Sequence, residues 1–268
     1  MRLTIRHLTD HEYDPAPNRI ALRLKLFPAK TRSQAPSGWQ VVVNGQAVEP
    51  MLTNGFGDFE ALWFAPTGTT QVEMVAEGTV TTSDTAGVIG RLGVAPPELF
   101  LRHTPLTRQD ADIRSLAEAA VGTDPLARMH ALSAAVHDAM VYRPGVTDSG
   151  TTAAQALALG AGVCQDKTHL LIAAARAAGI PARYVVGYLH EESAPLGETH
   201  AWAEAHLDGL GWVGFDPTHQ ICPTGSYVRL CSGLDADDAA PVRGSLTGAT
   251  EDRMTVSVSV AYAQSQQQ

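Results

Sequence analysis

Apolar and polar residues alternate along the first third of the chain, and this period of two predicts β-strands. Residues 20–27 place four branched apolar side chains on one face. Further strand patterns occupy residues 2–6, 39–43, 59–64 and 71–80. The Asn-Gly and Thr-Gly pairs between these segments are typical of turns. Short strands at this spacing predict a small β-sandwich domain over residues 1–95.

The period changes after Pro96-Pro97, where the apolar pattern becomes helical. Helices are predicted over residues 110–121, 124–140, 152–159 and 164–178. The period then returns to two over residues 182–189, 200–207, 212–216 and 254–261. Helices followed by strands in one segment predict an α+β fold for a second domain, residues 96–268.

The composition narrows the class of protein. Among the 268 residues, 19 basic and 28 acidic side chains give a formal net charge of −9. Because no basic excess is available to neutralise phosphates, we expect no nucleic-acid partner. No apolar run approaches the roughly 20 residues of a membrane-spanning helix, and residues 1–10 do not resemble a signal peptide. We therefore expect a cytoplasmic protein with no membrane partner.

Three cysteines are present: Cys164, Cys222 and Cys231. Three is too few for a disulfide framework, and in a reducing compartment each stays a thiol. Cys164 follows a glycine-rich turn at the first position of a predicted helix. The unpaired N–H groups and the positive end of the helix dipole favour a thiolate there. Cys164 is therefore a candidate nucleophile, with a buried small apolar residue as the alternative.

A cysteine nucleophile needs a base, and the base needs an orienting acceptor. His200 begins one predicted strand and Asp216 ends the next, with a turn at residues 208–211 between them. A hairpin closed at that turn places His200 opposite Asp216, to within about a pair of register. The sequence therefore predicts a catalytic triad of Cys164, His200 and Asp216.

The other histidines fit the role of base less well. His206 and His219 lie near the hairpin and are the alternatives. His130 and His137 lie on a helix before the cysteine, and the sequence places no acid partner beside them. His169 follows the cysteine by five positions on its own helix, so its side chain points away from the thiol.

Four motifs resemble the bacterial transglutaminase-like superfamily in order and spacing. They are GVCQD at 162–166, GIPARYVVGY at 179–188, HAWAE at 200–204 and GWVGFDPT at 211–218. The close resemblance covers residues 142–218, and a weaker one covers the whole chain. Residues 1–95 resemble the β-sandwich that precedes the core in this family, and residues 227–244 resemble its C-terminal extension. Its members often carry the label of cysteine protease.

The resemblance implies a papain-like, transglutaminase-like core, in which a cysteine-bearing helix packs on an antiparallel sheet. It assigns the nucleophile to Cys164, the base to His200 and the acid to Asp216, the same residues that the hairpin argument reaches. It also points to Tyr142 as a group that positions substrate or the oxyanion, with a core aromatic as the alternative. Gln165, at the helix start, is expected to support the site and to help Tyr142 position the oxyanion or the substrate.

Asp166 is expected to support the helix start as well. Relatives usually carry an aromatic and a small residue at the next two positions, where this chain has Lys167-Thr168. We expect this departure to change the cleft wall or a domain contact, and so the substrate preference, while the triad is kept. Cys222, His219 and Cys231 match no zinc spacing, so neither a metal nor a cofactor is expected.

The expected chemistry is attack of a thiolate on an amide carbonyl, which gives a thioester. Transfer of the acyl group to water makes the protein a protease or amidase that acts on a peptide or protein amide. Transfer to an amine makes it a transglutaminase, and the triad is common to both. We expect hydrolysis, with acyl transfer as the alternative. A peptide-binding module without catalysis is the alternative of another class.

Overall fold

The chain is represented by a computed structural model that describes residues 1–191, 196–197, 199–248 and 251–263. The helices are α1 (Ala111–Ala119), α2 (Pro125–Ala139), α3 (Ala153–Leu159) and α4 (Cys164–Ala177), with a 3₁₀ helix at Pro97–Leu101. The strands up to residue 90 are β1 (Arg2–Asp14), β2 (Arg19–Phe27), β3 (Gln34–Val43), β4 (Gln46–Ala47), β5 (Leu52–Thr53), β6 (Phe59–Phe64), β7 (Gln71–Thr82) and β8 (Val88–Gly90). The later strands are β9 (Val141–Tyr142), β10 (Ala161–Gly162), β11 (Ala182–Leu189), β12 (Leu196–Gly197), β13 (His200–Leu207), β14 (Gly211–Phe215), β15 (Tyr227–Gly233), β16 (Val242–Thr247) and β17 (Glu251–Tyr262).

Two antiparallel sheets contain the strands predicted for the N-terminal domain. One has the strand order β12-β17-β1-β7-β3-β4 and the other the order β16-β2-β6-β5. Their inward-facing apolar side chains belong to one core cluster. Both sheets also take strands from the far end of the chain, because β17 pairs with β1 and β16 pairs with β2. The C-terminal segment therefore completes both N-terminal sheets. The division of the chain near residue 95 stays a prediction.

The first strand is longer than the alternating pattern predicts. It continues to Asp14 and pairs with β17 along almost its whole length. His7, Thr9 and His11 take inward positions there and are buried. The ring of His7 is hydrogen-bonded to the Tyr188 hydroxyl (2.9 Å), so this inward polar group has a partner. Because polar residues occupy these inward positions, the alternation of apolar and polar residues does not extend over this part of the strand.

The second part of the chain is an α+β unit, as predicted. A five-stranded sheet of order β15-β11-β13-β14-β8 packs against α4, and α1, α2 and α3 surround the same helix. Every residue of α4 from Asp166 to Arg176 is buried. Its alanine side chains allow the sheet and the other helices to approach closely. No helix among the described residues is long and apolar enough to cross a membrane.

A buried ionic cluster joins the two parts of the chain. Asp58, between β5 and β6, pairs with Arg229 of β15 at 2.8 Å. Arg229 also pairs with Glu204 of β13 at 2.9 Å, and Glu204 pairs with Arg183 of β11 at 2.6 Å. All four side chains are at most 2% exposed, and such charges are tolerated only when each has a partner. The cluster fixes the strand that carries His200 against the N-terminal part.

Candidate active site

Cys164 is the first residue of α4, as the sequence predicts. The helix start is held by Asp166, whose Oδ2 accepts hydrogen bonds from Val163 N–H (2.8 Å) and from the Thr147 hydroxyl (2.7 Å). A Cβ on Gly162 would lie 2.6 Å from Asp166 Oδ2, so only glycine allows the carboxylate to sit over the turn. Asp166 therefore supports the start of α4. Its carboxylate accepts hydrogen bonds there and does not take the place of the backbone N–H donors near the Cys164 thiol.

His200 begins β13, and its ring links the two other members of the predicted triad. Nε2–H donates to Asp216 Oδ2 at 2.7 Å. Its ring is also close enough to the Cys164 side chain for that group to raise the pKa of His200. The observed register pairs Ala203 with Phe215, and its continuation sets Asp216 opposite Trp202, two positions from His200. The offset of two residues lies within the predicted register range, and the His200 and Asp216 side chains meet diagonally across the two strands.

Asp216 is fully buried and saturated with donors. Its Oδ2 accepts from His200, from Tyr227 O–H (2.8 Å) and from His219 Nδ1–H (2.7 Å). Its Oδ1 accepts from Thr218 N–H (2.8 Å). The sequence argument missed Tyr227, because it lies on β15, for which no pattern was found. His219, considered there as an alternative base and as part of a zinc set that the spacing excludes, contacts the predicted acid Asp216.

These contacts set the charges of the pair. Burial alone would raise the pKa of Asp216, but the hydrogen bonds from His200, His219 and Tyr227 hold that pKa well below its usual range. Burial alone would lower the pKa of His200, but the hydrogen bonds with Asp216 and Cys164 and their negative charges raise it to about 10. At neutral pH the site therefore contains an aspartate and an imidazolium.

The candidate triad opens into a cavity of about 600 Å³. The described residues that line it are Tyr142, Pro144, Val163, Cys164, Leu189, Glu191, Thr199, His200, Thr218 and His219. Tyr142 lies on β9 and is 53% exposed. Gln165 is not among these lining residues, and its amide donates over a long 3.5 Å to the Ser149 carbonyl.

Lys167 lies behind the site and does not form a described part of the cleft wall, which corrects one of the two expectations for it. Its side chain is buried, and Nζ donates to the His137 carbonyl at the end of α2 (3.4 Å). Burial lowers its pKa, while the negative charges of Asp216 and Asp138 oppose that shift. Lys167 therefore affects a contact between α4 and α2 within the core.

The other histidines considered as possible bases make contacts elsewhere in the fold. His137 Nδ1–H donates to the Pro217 carbonyl (3.0 Å), and His130 packs edge-on against Phe215. His206 packs against the Trp212 ring. His169 accepts from Ala236 N–H, and burial lowers its pKa to about 4, so it stays neutral.

One group of described residues has the geometry to hold a metal ion: His200, Asp216 and His219, with ligand atoms within 4.8 Å of one another. The ring nitrogens concerned already donate to Asp216, so a metal would have to displace those hydrogen bonds. The group contains neither Cys222 nor Cys231. Burial and the charge of Asp84 raise the pKa of Cys222, and the Cys231 thiol donates to the Ala239 carbonyl.

A cysteine at a helix start, with a histidine and an aspartate on the adjoining antiparallel sheet, defines a class of α+β cysteine proteins. Residues 114–217 match the model of the transglutaminase-like superfamily, so this segment is a transglutaminase-like domain. The predicted resemblance is confirmed. A solved structure described as a "putative cysteine protease" from Cytophaga hutchinsonii matches 98% of this chain and 92% of its own, at 25% identity and a TM-score of 0.72.

Curated relatives match shorter stretches. An uncharacterized protein of Mycobacterium leprae is 40% identical over 113 residues, which cover 40% of this chain and 40% of that protein. A protein of Pseudomonas aeruginosa named protein-glutamine gamma-glutamyltransferase is 37% identical over 82 residues, 28% of this chain and 12% of that protein. The matches thus span less than half the length of these relatives.

Proposed function

We propose that this protein cleaves a peptide or amide bond through Cys164, His200 and Asp216. The observation that carries the proposal is the position of His200, which donates to Asp216, is close enough to Cys164 for that side chain to raise its pKa, and lines the same cavity as Cys164. A reducing, cytoplasmic compartment is part of the proposal, because the nucleophile requires a free thiol.

The proposed reaction has two halves. The Cys164 thiolate attacks the carbonyl carbon, and the N–H groups at the start of α4 stabilise the negative oxygen. Since Nε2 of His200 donates to Asp216, Nδ1 is the nitrogen that serves the thiol and then protonates the departing amine. A thioester remains. His200 next takes a proton from water, whose oxygen attacks the thioester, and the acid product leaves as the thiol is restored. Tyr142 lines the cavity, and we include it as a substrate-positioning group.

The direct test is turnover of a peptide library, with new carboxyl and amino termini identified by mass spectrometry. Cys164→Ala should abolish cleavage and keep the fold, whereas Cys222→Ala, which removes another partly buried thiol, should keep activity. Cleavage that survives in Cys164→Ala would exclude the proposed nucleophile. Binding of library peptides without any cleavage by the unsubstituted protein would favour the non-catalytic module.

Acyl transfer to an amine is the second candidate, favoured by the likeness to the Pseudomonas aeruginosa glutamyltransferase. The first half of the reaction is the same, and an amine replaces water in the second half. Adding a primary amine to a cleavage reaction should then divert product from the acid to the amide. Unchanged acid yield at high amine concentration would exclude this candidate and leave hydrolysis.

A further inference from the structure

Tyr227 reaches the candidate triad from beyond two intervening strands of the sheet. It is the first residue of β15, whereas Asp216 directly follows β14, and β11 and β13 lie between these two strands. Its hydroxyl nevertheless donates to Asp216 Oδ2 at 2.8 Å. The same oxygen accepts from His200 Nε2–H at 2.7 Å. The phenol and the imidazole therefore share one carboxylate oxygen.

The packing of the Tyr227 ring fixes the direction of its hydroxyl. The side chain is buried and meets the Trp202 ring edge-on, with ring centroids 5.5 Å apart. Gly187 in β11 makes room for Trp202, because a Cβ there would lie 2.6 Å from the indole ring. A phenylalanine at position 227 would keep these ring contacts, so the hydroxyl can be removed alone.

The hydroxyl is a donor at neutral pH, because burial and the negative charge of Asp216 raise the pKa of Tyr227. A hydrogen bond from a neutral donor to an ionised carboxylate is charge-assisted. A carboxylate that accepts several such bonds is a weaker base, and so a weaker acceptor for each of its donors. Tyr227 therefore weakens the hydrogen bond between Asp216 and His200.

Other donors should keep the Asp216 carboxylate in place when the hydroxyl is removed. Thr218 N–H donates to Oδ1 at 2.8 Å, and His219 Nδ1–H donates to Oδ2 at 2.7 Å. The positive charge of Lys167 also acts on Asp216. The gain in negative charge on Oδ2 then outweighs any change in orientation, and the hydrogen bond to His200 becomes stronger.

We propose that Tyr227 is a positioning residue of the site, which shares Oδ2 of Asp216 with His200 and so limits how strongly the carboxylate holds the imidazolium. The inference rests on the function proposed above. There the imidazolium protonates the amine as the C–N bond breaks, and an imidazolium that is held less strongly gives up this proton more readily. Tyr227 is not among the described residues that line the cavity, so it acts through Asp216.

Ring NMR of Tyr227→Phe at pH 7 tests the shared oxygen. The His200 Nε2–H resonance, assigned by its loss in His200→Gln, should move downfield, because Asp216 becomes a stronger acceptor. Tyr188→Phe is the matched control, since it removes a buried hydroxyl in β11 that contacts His7, and it should leave the resonance in place. An upfield move, no move or loss of the signal in Tyr227→Phe overturns the proposal.

Incorporation of 3-fluorotyrosine covers the case in which Tyr227→Phe does not fold. All six tyrosines are replaced, and Tyr227 is the one whose hydroxyl contacts Asp216 among the described residues. A fluorinated phenol is a stronger donor, so the His200 Nε2–H resonance should move upfield. A downfield move or no move contradicts the proposal.

Turnover separates this role from a structural one. In Tyr227→Phe we expect kcat for a cleaved library peptide to fall about threefold to fivefold, with KM unchanged. Alkylation of Cys164 by iodoacetamide at pH 7 needs no proton from His200 and should keep its rate. A residue that only supports the fold would slow both reactions when it is changed.

The outcomes also separate the inference from the proposed function. If the unsubstituted protein cleaves no peptide, the proposed function fails, and the direction of the Nε2–H shift still decides the role of Tyr227. If it cleaves peptide, and kcat in Tyr227→Phe is unchanged or falls together with the alkylation rate, the proposed function stands and this inference fails.

Discussion

At the scale of single residues, the contacts of His200 with Asp216 and Cys164 set the charge of its ring. A buried histidine whose ring has no hydrogen-bonded carboxylate loses its proton, and His169 in α4 is an example, because burial lowers its pKa to about 4. His200 is also largely buried, yet its contacts with Asp216 and Cys164 reverse the shift. The same residue type therefore serves as a neutral acceptor in the core and as a cation in the cavity.

We predict that the two histidines titrate far apart in ring NMR spectra. The His200 signals should titrate near pH 10, and those of His169 near pH 4. Because folding raises the pKa of His200 above its usual 6.5, its stabilisation is complete below pH 6.5 and is lost as the pH rises through about 10. Asp216→Asn should move the His200 titration to lower pH. A His200 titration near pH 6.5 in the unsubstituted protein would contradict the proposed ion pair.

At the scale of elements, the helix start and the hairpin were accessible from the sequence, because both depend on local rules. Asp124-Pro125 begins α2, and Asp124 accepts from Ala127 N–H, as the capping pattern predicts. Cys164 begins α4 where the glycine turn indicates. The contacts of Tyr227 and His219 with Asp216 were not accessible, because strand order and side-chain reach depend on tertiary packing.

Gly162 provides a prediction for α4, the element that carries the proposed nucleophile. Gly162→Ala should displace the Asp166 carboxylate, which the new Cβ would meet at 2.6 Å, and so loosen the start of α4. We expect a loss of about 1–3 kcal/mol in the free energy of unfolding in urea, with slower alkylation of Cys164. Gly150→Ala is the matched control, because its Cβ would meet nothing closer than 3.4 Å. Equal behaviour of the two variants would contradict this role of Gly162.

At the scale of the whole molecule, strands near the C-terminal end of the chain complete the two sheets that the N-terminal strands form. The sequence predicted most of the N-terminal strands and a strand at 254–261, but not that the latter pairs with β1. It gave no sign of β16, whose residues are mostly exposed and lack a clear alternation. Pairings between residues some 250 positions apart are invisible to local periodicity. The sequence did not predict the buried cluster of Asp58, Arg229, Glu204 and Arg183 either, because charged residues are normally expected at the protein surface.

We predict that this cluster is essential for stability. Arg229→Met leaves Asp58 and Glu204 buried with one partner fewer and should cost about 3–5 kcal/mol in the free energy of unfolding. Arg6→Met breaks the exposed pair with Glu77 and should change it by less than about 1 kcal/mol. Urea denaturation of both variants compares them directly. A small loss for Arg229→Met would show that the cluster does not tie the two parts together.

The central claim is that His200 activates Cys164, and the rate of alkylation by iodoacetamide against pH, measured for each cysteine by mass spectrometry, tests it most directly. Cys222 is an internal control, because burial and Asp84 raise its pKa. The account predicts that Cys164 reacts fast well below pH of about 8.5, where an ordinary cysteine begins to ionise, and slows strongly in His200→Ala. If Cys164 reacts no faster than Cys222, or equally fast without His200, the account of the site is wrong.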